Sequence, residues 1–195
     1  MSPDGKTSPL ALKADGIYQV ASFTPQTTGA NIVMAQYQFF STLTKAGKYV
    51  NFPKSEAKEP SDYTTYVSRS SKVIIGTGGA NATKAMGMDL EIVPQVDPTT
   101  IKSGGLLPVQ ILYKGKPIVA GPNEEIDVKA VYAGFQSDED TYSFAGHTDK
   151  DGMCRVKIMQ PGTWMVIVER RIPAADQSKS ETELYGATLT FRING

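Results

Sequence analysis

Alternation of apolar and polar side chains runs through the second half of this chain and leaves few folds open to it. Met88, Leu90, Ile92 and Val96 alternate with Asp89, Glu91 and Gln95. Leu107, Val109, Ile111 and Tyr113 repeat the pattern up to Lys114-Gly115-Lys116-Pro117, a tight turn. It returns at Ile126–Tyr132, at Tyr142 and Phe144, at Cys154–Ile158, at Trp164–Val168 after Pro161-Gly162, and at Tyr185–Ile193. A period of two puts successive side chains on opposite faces of a strand. Turns at roughly eight- to twelve-residue intervals are the spacing of an antiparallel sandwich. Seven such strands predict an all-β fold, an immunoglobulin/transthyretin-like antiparallel β-sandwich over residues 88–195.

The first part of the chain is less regular. Gly76–Gly87, reading GTGGANATKAMG, has four glycines and no apolar period, so 76–87 reads as a linker. Residues 1–75 then form a smaller N-terminal β region. Ile17–Phe23 and Val67–Ile75 read as strands. Asn31–Phe40 has mixed period, and Ala35–Gly47 is the one stretch that could hold a helix, but β-branched and aromatic content favours strand. Asn51–Asp62, with two prolines and five charges, reads as exposed loop. Three or four strands are thin for a closed sandwich. Either this region borrows strands from the other, or its beginning is missing.

Composition narrows function mainly by exclusion. Among 195 residues, Lys+Arg and Asp+Glu number 20 each, so no nucleic-acid partner is expected. The longest strictly apolar run is Trp164–Val168, far short of a membrane span, so no membrane insertion is expected. A lone cysteine, Cys154, excludes an intrachain disulfide. Met1–Lys13 is polar and lacks the apolar core of a signal peptide; a chain whose signal had been replaced by a start Met would read the same.

Catalytic chemistry has little to build on. His147 is the single histidine, and Ser143, on the same strand, lies roughly 13 Å from it at ~3.3 Å per residue. That exceeds hydrogen-bond reach. No G-x-S-x-G occurs, and the Ser-x-x-Lys spacing at Ser55–Lys58 falls in the stretch that reads as exposed loop. One His and one Cys cannot close a structural zinc site. Asp149-Lys150-Asp151-Gly152 resembles the start of a calcium loop, but Met153 and Gln160 stand at its fifth and twelfth positions. Asp149 and Gly152 suit a hairpin turn instead. No cofactor is expected beyond a weakly held divalent metal, with His147, Asp149 and Asp151 as candidate ligands and Ser137–Asp140 as a second acidic candidate. Cys154 should face the core while His147 faces away. Met86, Met88, Met153, Met159 and Met165 are expected to fill the core.

A set of short phrases in fixed order adds a family resemblance. Leu90-Glu91-Ile92-Val93-Pro94 is followed by Asp97-Pro98, Gly104–Leu107 and Val109–Tyr113 with Lys114-Gly115-Lys116-Pro117. Thr148-Asp149 with Gly152, then Pro161-Gly162-Thr163-Trp164, completes the string. It resembles the bacterial DUF4198 family over residues 88–170, with looser echoes at Asp15–Val20 and Asp62–Lys72. The resemblance implies a periplasmic or other extracytoplasmic location and a link to nickel/cobalt uptake. The expectation is therefore a non-enzymatic binding or accessory protein, serving a membrane transporter component with a small solute or metal ion. The alternative is a structural or adhesive module that holds a protein or glycan. Relatives begin with an upstream segment, often containing histidine, that this chain is expected to lack.

Overall fold

A computed structural model describes residues 1–25, 28–119, 126–135 and 141–194. Its strands, in chain order, are β1 (Lys13–Asp15), β2 (Tyr18–Val20), β3 (Asn31–Thr44), β4 (Tyr49–Val50), β5 (Ser61–Ile75) and β6 (Leu90–Pro94). There follow β7 (Leu106–Tyr113), β8 (Lys116–Pro117), β9 (Asp127–Tyr132), β10 (Phe144–His147), β11 (Met153–Lys157), β12 (Gly162–Pro173) and β13 (Thr182–Ile193). Among the described residues helix is limited to single 3-10 turns at Lys54–Glu56, Ala80–Thr83 and Pro98–Thr100. The chain is all-β, and the segment Ala35–Gly47 that might have been helical lies largely within β3.

Two sheets pack face to face. The larger has seven strands in the order β10-β9-β12-β13-β5-β3-β4, and the smaller has the order β11-β7-β6 with β8 beside β7. Hairpin chemistry sets the register of the small sheet. Lys114 (φ 49°) and Gly115 (φ 76°) form a two-residue turn that pairs Tyr113 with Lys116, the left-handed geometry that matches strand twist. At the β10–β11 turn Asp149 Oδ1 accepts from the Asp151 and Met153 amides, both at 2.9 Å. Gly152 follows at φ 71°, with Ile111 and Ile118 carbonyl oxygens 3.0 Å from where a Cβ would stand.

The large sheet passes through the 76–87 segment's two sides without a break. β13 pairs with β5 in parallel, Thr182 opposite Thr65 through Thr190 opposite Val73. The strands before residue 76 thus borrow their neighbours from the strands after residue 87. This pair is parallel where the sequence pattern implied antiparallel order, because β5 and β13 are distant in the chain and no hairpin dictates their direction. The 76–87 segment is itself anchored. The Gly78 carbonyl accepts from Ala30, and the Gly78 amide donates to Asp97.

Between the sheets lies one apolar core, with Ile92, Leu107, Val109, Val156, Val166 and Leu189 all essentially inaccessible. Trp164 is fully buried in it, its Nε1 donating to the Gln160 carbonyl at 2.9 Å and its ring 5.1 Å from Tyr132. Cys154 is buried with the apolar set, and burial pushes its thiol up. Met88 is buried, but Met159 is 55% exposed, since it lies past the end of β11 where alternation no longer points a side chain inward.

One charged pair sits in this core. Lys72 on β5 and Glu91 on β6 are each 1% exposed and meet at 2.7 Å. Glu91 also accepts the amides of Met86, Gly87 and Met88, and Lys72 reaches the Lys84 carbonyl at 3.3 Å. Burial lowers the Lys72 ammonium from the usual lysine range, and the adjacent Glu91 carboxylate opposes that shift.

Two stability predictions follow from this packing. Trp164→Ala should cost about 3–5 kcal/mol in denaturant unfolding, the usual range for deleting a large buried aromatic. Lys72→Met should cost about 3–5 kcal/mol, because it strands a buried carboxylate. The double variant with Glu91→Leu should not return to wild-type stability, since it leaves the 86–88 amides without their acceptor. Full recovery in the double variant would show that those amide contacts contribute nothing.

Candidate functional site

The sequence-derived metal candidates are each engaged locally. His147 Nδ1 lies 3.0 Å from Asp127 Oδ1 across the β9–β10 pair, both side chains about half exposed. Asp149 caps its own turn, and those backbone donors hold its carboxyl below the usual range. Asp151 pairs with Lys150 at 2.8 Å. Among the described residues no group of three or more His, Cys, Asp or Glu side chains is placed to hold a metal ion. Ser137–Asp140 lies outside the described residues. Ser143, the serine nearest His147 in sequence, donates its hydroxyl to the Ala130 carbonyl at 2.7 Å.

A different cluster emerges where the two sheets part. The small sheet ends at the start of β6 and the β7–β8 turn, but the inner face of the large sheet runs on. Asp89, just before β6, marks the rim: its Oδ2 accepts from Ser68 Oγ at 2.9 Å and from Gln36 and Gln38 Nε2 at 3.0 Å. Beyond Ser68, β5 continues outward for seven more residues, to Ser61. Farther out the inner face is covered again, Thr42 donating to the Phe52 carbonyl and contacting Thr64 at 2.9 Å. Between rim and cover the inner face carries a bay of buried and half-buried tyrosines with charged side chains around them.

Three tyrosines and four charges line it, brought together by register. Tyr185 on β13 stands opposite Ser68 on β5 and Arg170 on β12, while Glu183 stands opposite Tyr66. Tyr113 comes from the small sheet and meets Tyr185 edge-on, ring centroids 5.0 Å apart at 76°. Tyr66 approaches Tyr185 at 6.4 Å. Lys114 Nζ sits 5.2 Å from the Tyr113 ring and 5.6 Å from that of Tyr185, and the Arg170 guanidinium lies 5.2 Å from Tyr113. Stacking of cations on phenol rings at these distances is favourable by about 0.5–2 kcal/mol.

Burial and close neighbours set the electrostatics of this cluster. Tyr185 Oη donates to Glu183 Oε2 at 2.6 Å. Burial, that hydrogen bond and the neighbouring Tyr113 raise Tyr185 far above the usual tyrosine range. Burial, with Asp89 and Glu183 nearby, also raises Tyr66. Lys114 is held above its ordinary value first by a hydrogen bond to Tyr113. At neutral pH these phenols are fully protonated and the lysine fully charged. With Lys114 and Arg170 against Asp89 and Glu183, the bay carries balanced charge and offers donors, acceptors and ring faces together.

The tyrosine shifts set the alkaline behaviour. A phenol whose folded pKa is raised above its unfolded value near 10 contributes stability that is complete below pH ~10 and lost as pH rises beyond it. Melting temperature should therefore fall between pH ~10 and 12, and Tyr185→Phe should flatten that decline. In ultraviolet titration of the nine tyrosines, the latest-ionising component should disappear in the same variant.

Among the described residues no helix is long and apolar enough to cross a membrane. No curated protein and no solved structure shows significant similarity to the chain. The profile of one family, described as a domain of unknown function, matches residues 1–172 and so takes in β1–β11 and all but the last residue of β12. With that coverage, and with the Leu90–Pro94, Lys114–Pro117 and Pro161–Trp164 phrases placed at strand and turn positions of one sandwich-like fold, the chain belongs to the DUF4198 family.

Proposed function

We propose that this protein is a non-enzymatic extracytoplasmic binding or accessory protein, and that it holds a small polar solute in the bay between the sheets. One observation carries the reading: two cations, two carboxylates and three phenol rings converge there from four strands, the turn after β7 and the residue before β6. Lys114 and Arg170 present charge to a guest carboxylate, and Glu183 and Asp89 present acceptors to a guest ammonium or hydroxyl. The ring faces cover apolar carbons. That set fits a zwitterionic or hydroxylated acid of a few carbons. The solute would pass to a membrane transporter component, the role suggested by the resemblance to uptake-associated proteins.

Delivery of nickel or cobalt is the more specific form of that role. High affinity for these ions at neutral pH draws on imidazole and thiolate. Here Cys154 is buried and His147 is paired with Asp127.

Titration calorimetry with free amino acids and with small dicarboxylic and hydroxy acids tests the solute reading. At least one should bind, and Lys114→Ala and Arg170→Ala should each weaken it tenfold or more. An absence of binding across the set, or binding indifferent to both substitutions, would overturn it. Ni²⁺ and Co²⁺ should bind more weakly than micromolar. Stoichiometric sub-micromolar binding that His147→Ala abolishes would replace the solute reading with the metal one.

A further inference from the structure

The outer face of the large sheet carries a second arrangement, independent of the bay. Tyr37 on β3, Arg69 on β5, Gly186 on β13 and Glu169 on β12 stand directly opposite one another in a single row across four strands. β13 is the middle strand of the seven. A glycine inside a central strand weakens it and often marks a close approach. Gly186 is absent from the positive-φ glycines, so conformational freedom is not the reason for it. What it supplies is room. A Cβ at this position would come within 2.8 Å of Arg69 Cδ. The arginine side chain lies flat across the glycine and pairs with Glu169 on the far side.

Three of the four side chains in the adjacent row are short. Ala35, Ser71, Thr188 and Ile167 follow the same four strands, and Thr188 Oγ1 donates to Ser71 Oγ at 3.0 Å. The difference in height between the two rows makes a shallow open trough of about 210 Å³. Tyr37 stands at one end of it, 62% exposed, its ring stacked on Phe39 at 5.0 Å and 28°.

We propose that this trough is a saccharide-binding site. A sugar ring has an apolar C–H face and an edge of vicinal hydroxyls. Tyr37 offers a flat apolar surface held in place by its stacking partner. Arg69 and Glu169 offer a planar donor fork beside an acceptor, which matches a pair of neighbouring hydroxyls. The Ser71 and Thr188 hydroxyls continue that polar edge along the floor. The ion pair is neutral as a whole, so the trough favours an uncharged ligand. A protein partner would call for an apolar core of aromatic anchors with charge excluded, and here a charged pair occupies the centre.

Native affinity electrophoresis in gels cast with dextran, xylan, laminarin or galactomannan tests the proposal. The protein should be retarded by at least one polysaccharide. Tyr37→Ala and Arg69→Lys, both exposed and so compatible with folding, should each weaken retardation tenfold or more. Gly186→Ala should do the same by displacing Arg69. Lys114→Ala in the bay should leave retardation unchanged, so this result stands or falls apart from the solute reading. Free mobility in all four gels, or retardation equal to wild type in Tyr37→Ala, would overturn the proposal. Calorimetry with glucose, xylose and mannose then separates a site for single sugars from one that needs a polymer.

Discussion

The Lys72–Glu91 pair is the constraint on which the arrangement of the two sheets turns. Each charge is 1% exposed, and neither could be buried alone without a cost of several kcal/mol. Apolar contacts between Ile92, Val109 and Leu189 would tolerate sliding of one sheet over the other, since hydrophobic burial has no direction. The ion pair does not tolerate it. It fixes β6 against β5 at one register, and Glu91 holds the 86–88 amides in the same grip. The segment connecting the two parts of the chain is thus tied to the core it leads into. Two residues before Glu91, Asp89 makes the rim of the bay, so the position of the bay is a consequence of the buried pair.

The parallel pairing of β5 with β13 completes that frame. It joins residues more than a hundred positions apart and makes β3, β5, β12 and β13 one continuous surface. Strands β3 and β5 are longer than the small sheet can cover. The excess length leaves inner-face positions such as Tyr66 and Arg170 half-buried, where phenol and guanidinium are less costly than a large aliphatic residue would be.

The chain's alternation made most of the small sheet and strands β9 to β13 legible, because each has one apolar and one polar face. Trp164, the turn at Lys114-Gly115 and the Asp149–Gly152 hairpin were legible for equally local reasons. β5 was not legible over its full length. Its inward row is Ser68, Ser70 and Lys72, and its outward row holds Arg69 and Ser71, so neither face carries an apolar period. β3 has the same difficulty with Gln36 and Gln38. The bay was hidden for a different reason. Tyr66, Tyr113 and Tyr185 lie on three strands, and nothing local announces that a parallel ladder puts Tyr185 opposite Ser68. The raised tyrosines follow from that pairing and not from any motif. The outer row was hidden likewise, although a lone glycine at 186 amid Tyr185, Ala187, Leu189 and Phe191 was a sign that something passes close to that strand.

Both surfaces use the same stretch of backbone in opposite directions. Ser68 and Tyr185 point into the bay, while their immediate neighbours Arg69 and Gly186 form the outer row. Alternation keeps the two sets of side chains on separate faces, so a substitution in one set leaves the other's chemistry intact. Register is shared, however. A one-residue slip of β13 against β5 would turn Tyr185 outward and Gly186 inward, and would destroy both surfaces together. The Lys72–Glu91 pair ties β5 to β6, and β6 also packs on β13, so such a slip would pull against the buried pair. One buried ion pair thus secures the geometry of two surfaces that it does not touch.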